Sequence, residues 1–139
     1  HQDRLTTLAM MAMASIECGF LDVQQEVRDA LAPFAGTIVF NGSACFGPAD
    51  HYLGLLAAAV EDFDAADAHF GAAADLASNL AAPVLLAETN ISWGSSLLRR
   101  RAPGDQVRAR ALIEYAAHSA EELGLDLLQQ RAAALVETP

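Results

Sequence analysis

The chain has 139 residues, the size of one ordinary domain, and its 18 acidic residues against 8 basic ones give a formal net charge of −10. That charge excludes an unassisted grip on DNA or RNA, which depends on cations releasing counterions from the phosphate backbone. Alanine supplies about a fifth of the residues while Val, Ile, Thr and Tyr are sparse, so the composition points away from a sheet and toward an all-α fold.

In chain order, Leu5, Leu8, Ala12 and Ile16 make one apolar stripe at helical spacing and predict a first helix over 3–18, stopped by Gly19. A second helix is expected over 22–35, started by Asp22 with Gln25 three residues on and closed by Gly36. The stretch 37–46 is apolar where a connection is called for. Ile38, Val39, Phe40 and Phe46 are expected either to cover the first two helix pairs or to form a contact loop or ligand lid, with Asn41-Gly42 as a tight turn. Leu53, Leu56, Ala57 and Val60 mark a third helix over 48–61, and Asp64 with Asp67 opens a fourth over 64–81. Pro83, lacking a donor that the first turn would leave unpaired, starts a fifth helix over 83–101 striped by Leu86, Trp93, Leu97 and Leu98. A sixth helix over 105–123 ends at Gly124. A seventh, over 126–137, is polar on one side through Gln129, Gln130 and Arg131, as a capping helix would be.

The second helix of each pair repeats. Val23, Val27 and Ala30 return as Ala66, Phe70 and Ala73, and again as Ala109, Ile113 and Ala116, each time after 43 residues; Phe34, Ala77 and Ala120 follow the same period. Positions i, i+4 and i+7 share one helix face, so each copy offers a small or apolar stripe to a neighbour. The expected architecture is a single domain over 1–139 made of antiparallel hairpins at about 3–35, 48–81 and 83–123 with the capping helix 126–137. Seven helices would then form a short α-solenoid or bundle.

Leu53-Gly54-x2-Ala57-x8-Ala66-x3-Phe70-x2-Ala73 resembles the tetratricopeptide (TPR) spacing, in which small residues let two helices approach and an aromatic ring fills the gap. The third hairpin is similar through Trp93, Ala109, Ile113 and Ala116, although the period is 43 instead of 34. A longer resemblance spans roughly 48–135. Gly47-Pro48-Ala49-Asp50-His51-Tyr52-Leu53-Gly54-Leu55-Leu56-Ala57, then Ala65-Ala66-Asp67-Ala68-His69-Phe70, Gly104-Asp105-x2-Arg108-Ala109-Arg110 and Ala120-Glu121-Glu122-Leu123-Gly124 look like the C-terminal helical-repeat region of large actinobacterial regulators. In those regulators a cyclase or LuxR-type DNA-binding domain is joined to an ATPase. The resemblance implies a signal-sensing or autoinhibitory role and brings no active-site residue. The opening residue His1 adds the expectation that the chain is a fragment of such a larger regulator. One departure is Glu61-Asp62, where a turn containing Gly is commoner.

Motifs for catalysis are missing: the sequence contains no phosphate loop and no GxSxG elbow, and no cysteine-nucleophile signature surrounds Cys18 or Cys45. The expectation is therefore not an enzyme, with no catalytic, cofactor-binding or metal-binding residue and no cofactor. His51, His69 and His118 lack metal-ligand spacing, and Asp62, Asp64 and Asp67 lack the Gly and Glu of a calcium loop. The two cysteines read as buried free thiols of a reducing, cytoplasmic compartment, and no apolar run is long enough to span a membrane. Arg99, Arg100, Arg101, Arg108 and Arg110 gather most of the positive charge near one inter-helix loop, a candidate docking patch for an acidic surface of a partner or of the parent chain. The expected function is a protein-interaction or effector-sensing domain of a signalling or transcriptional regulator. The alternatives are a self-association module forming a homodimer and a domain that binds a small molecule, with or without cryptic chemistry.

Overall fold

The computed structural model of the chain describes residues 2–42 and 44–137. Among them are seven helices: α1 Gln2–Cys18, α2 Leu21–Leu31, α3 Ala49–Ala59, α4 Phe63–Asn79, α5 Pro83–Arg100, α6 Asp105–Leu123 and α7 Asp126–Glu137. The all-α class and the number of helices agree with the sequence reading. Except between α2 and α3, the connections are only two to four residues long, which folds each helix back beside its predecessor. The odd-numbered helices also touch one another, α1 on α3, α3 on α5 and α5 on α7.

The 43-residue stripes face inward. Ala66, Phe70, Ala73 and Ala77 of α4 are buried, as are Ala109, Ile113, Ala116 and Ala120 of α6; in α2, Val27 is buried and Val23 and Ala30 partly so. Two glycines set the helix spacing. A Cβ on Gly54 would come within 2.7 Å of the Phe70 ring, and one on Gly94 within 2.7 Å of Ile113 Cγ1. Phe70 and Ile113 are equivalent positions of the repeat, so in both pairs the large side chain of the even helix fills the notch that glycine leaves in the odd one.

Three expectations are corrected. The second helix stops at Leu31 instead of 35, because Pro33 has no backbone donor to continue it; a single 3-10 turn, Ala32–Phe34, follows. The segment 37–46, expected as an apolar connection with a tight turn at Asn41-Gly42 and not as strands, forms a β-hairpin. Strands β1 Ile38–Phe40 and β2 Cys45–Pro48 pair antiparallel with Val39 opposite Gly47, and Asn41 closes the turn by accepting the Ala44 N–H at 2.8 Å on its side chain. Ser43 of this segment lies outside the described residues. Finally, the side chains of Asp22 and Asp64 do not cap: α2 and α4 begin after Phe20 and Asp62, and neither start carries a side-chain cap bond.

The helix stops follow backbone conformation closely. Gly19, Gly36 and Gly124 take φ of 73°, 85° and 70° as expected of left-handed stops. Glu61, Ala81 and Arg101 end α3, α4 and α5 at φ of 61°, 51° and 58°, so the Glu61-Asp62 turn adopts the left-handed geometry without glycine.

Candidate functional site

The odd helices come together around one hollow of about 490 Å³. Ile16 reaches it from α1; Leu55, Ala58 and Ala59 from α3; Ser92, Ser95, Ser96 and Arg99 from α5; Arg131, Ala134 and Leu135 from α7. Phe70 and Ile91 form its floor. The sequence makes this space by placing small side chains on the faces that meet: Ala58-Ala59 on α3, and on α5 the serines 92, 95 and 96, which share one side at helical spacing. The lining contains two guanidinium groups and three hydroxyls and no carboxylate.

Beside the hollow, His51 of α3 is held edge-on to Tyr52 and Phe70, with Nδ1 3.1 Å from Thr89 Oγ1 of α5. Burial, and secondarily the charge of Arg131, lower its pKa from 6.5 to about 4, so the ring is neutral at pH 7. Burial pushes Tyr52 up to about 12, aided by Glu88; its hydroxyl donates to the Phe46 carbonyl at 2.7 Å.

The predicted arginine patch is divided by helix geometry. Arg100 is drawn inward, giving two bonds to the buried carboxylate of Asp105 at 2.7 and 2.8 Å and a third to Asp64 at 3.1 Å. Arg108 donates to Asp67 at 2.9 Å and lies 5.7 Å from the Trp93 ring centroid, while Trp93 Nε1 donates to the same carboxylate at 2.7 Å. The Arg100 hydrogen bonds hold Asp105 below the usual carboxylate range; burial would raise Asp67, but its bonds to Arg108 and Trp93 outweigh this and lower it. Arg99 passes over the Phe63 ring at 5.2 Å and borders the hollow. Arg101 forms the left-handed end of α5, and Arg110 is exposed on α6. The five arginines are therefore not brought together as one patch.

The predicted contact loop is divided too. Val39 is fully buried in the core beside Leu53 and Leu56, Ile38 and Phe46 are partly buried, and Phe40 is exposed. Asp50 anchors this hairpin: one carboxylate oxygen accepts the Gly36 N–H at 2.7 Å, and the other sits 2.8 Å from His69 Nδ1 of α4. The histidines do not converge, His118 pairing instead with Glu122 on the surface of α6, and the described residues contain no cluster of three metal-ligating side chains. Contrary to the sequence reading, Cys18 and Cys45 are exposed; both are free. No described helix is long and apolar enough to cross a membrane. Compared with known proteins, the chain matches no family model, no curated relative and no solved structure.

Proposed function

We propose that this chain is a TPR-like helical-repeat domain, a short α-solenoid that senses an effector or protein segment for a larger cytoplasmic signalling regulator of the LuxR-linked kind. The observation that carries this reading is the hollow between the odd helices, to which α1, α3, α5 and α7 all contribute. In a stack of helix pairs the inner helices present such a concave face, and a ligand held there touches several hairpins at once. Binding would favour one arrangement of the hairpins over another, and only that difference in affinity could reach a neighbouring domain. The reading involves binding and release, with no catalytic step.

The test is a thermal-shift panel of nucleotides, organic acids, sugars and short peptides on the wild type and on Ser95→Trp, whose indole would project into the hollow and obstruct it. A ligand that stabilises the wild type and protects α5 and α7 from hydrogen exchange, but leaves Ser95→Trp unmoved, supports the reading. A tenfold rise in ligand above saturation should add about 1.4 kcal/mol. Stabilisation that survives Ser95→Trp, or none across the panel, contradicts it.

A second reading, self-association, is favoured by the exposed Met10, Met11 and Met13 of α1 with Phe20 and Leu21 beside them. Light scattering across a concentration series on wild type and Met10→Glu/Met13→Glu decides it: a dimer lost in the double variant supports this reading, and a monomer throughout removes it.

A further inference from the structure

The hollow has a charge character opposite to that of the chain. Eighteen carboxylates outnumber eight arginines overall, yet the cavity is lined by Arg99 and Arg131 and by no acidic residue. The two arginines reach it from different helices, α5 and α7, and Ser92 and Ser95 line it together with the apolar Ile16, Leu55 and Leu135. Among the described residues neither guanidinium takes part in an ion pair, unlike Arg28, Arg100 and Arg108. A neighbouring groove at the start of α5 and α7 shares Arg131 but is lined by Glu88 and Asp126, so the positive character belongs to this hollow alone of the two.

From this arrangement we infer that the hollow binds a compact organic anion, a carboxylate or phosphate ester bearing a short apolar body. The head would lie against Arg99, Arg131 and the serine hydroxyls, and the body against Ile16, Leu55 and Leu135. Guanidinium forks pair with both kinds of head, and hydroxyls complete the donor set. The size argues for a small molecule over an extended peptide: 490 Å³ is the volume of one small-ligand site, and α1 and α7 both contribute to its lining. The inference rests on the reading of the hollow as the binding site.

The experiment is calorimetric titration of the full chain with octanoate, octyl phosphate, octanol and inorganic phosphate, each below its aggregation concentration, and with an acidic hexapeptide. Octanoate or octyl phosphate should bind saturably, and whichever binds tighter identifies the head group. Octanol and inorganic phosphate should bind at least about tenfold more weakly, and Arg99→Gln or Arg131→Gln should each cost about tenfold, as expected for a charge-assisted contact. Arg110→Gln, on the outer face of α6, should leave binding unchanged. Equal binding of octanol, indifference to both arginine substitutions, binding only of the hexapeptide, or no binding of either amphiphilic anion would each overturn the inference. Ser95→Trp separates the two levels: a neutral ligand or peptide lost in that variant preserves the hollow as the site while removing the anion, whereas any ligand that survives it removes both.

Discussion

A few side chains have surroundings that leave them little freedom. Gly54 faces a rigid ring that cannot retreat, so Gly54→Ala should cost about 1–3 kcal/mol, the range for overpacking, as read by urea denaturation. Phe70→Leu should recover part of that loss in the double variant; strictly additive effects would show that the two do not meet. The opposite sign is expected at Ala81, where glycine relieves a left-handed backbone: Ala81→Gly should raise stability by up to about 1 kcal/mol. His51 gives the pH dependence. Its pKa falls from 6.5 to about 4 on folding, so between these values the unfolded chain takes up the proton first. Stability is complete above pH 6.5 and declines as pH falls toward 4, by up to about 2 kcal/mol at pH 5. His51→Gln should flatten the decline between pH 7 and 5, measured as the change in denaturation midpoint. The depressed carboxylates of Asp62, Asp67 and Asp105 act in a lower window: their contribution is complete above the usual carboxylate range and is lost as pH falls through and below it.

Among the elements, adjacency in sequence misled where direction in space decided. Arg99, Arg100 and Arg101 are consecutive, but successive positions on a helix point about 100° apart. One consequently borders the hollow, the next reaches Asp105, and the third ends the helix. Removing the inward one should matter most: Arg100→Met takes from the buried Asp105 carboxylate its two shortest charged contacts, leaving Arg108 at 3.8 Å and the Ala102 N–H, and should cost about 3 kcal/mol in a denaturant titration, whereas Arg101→Met should cost little. The hairpin tells the same story. Its apolar residues were visible, but a run of three to four could not declare itself a strand by periodicity alone. The partner supplies the assignment, because pairing of β1 with β2 sends Val39 into the core and Phe40 outward. Val39→Ala should lower the denaturation midpoint clearly, by about 1–3 kcal/mol, and Phe40→Ser by less than about 0.5 kcal/mol. Equal effects would mean that the hairpin does not hold this register.

For the whole molecule, the seven helices were legible because burial is written into the period of each stripe: Ala66, Phe70 and Ala73 return as Ala109, Ile113 and Ala116 in the same inward orientation. The hollow was not legible. Its walls come from positions as distant as Ile16 and Leu135, each ordinary within its own helix, and Arg131 read only as part of a polar cap. A weak signal was present in Ser92, Ser95 and Ser96, hydroxyls recurring on one side of a helix otherwise striped with large apolar groups. The hollow exists only where α1 and α7 approach the same space. Paired spin labels at Glu17→Cys and Val136→Cys, exposed neighbours of the lining residues, with Cys18 and Cys45 replaced by serine, measure this directly. One narrow distance at the short end of the range is predicted; a long or broad distribution would mean that α1 and α7 do not share a hollow, and the proposed site would not exist.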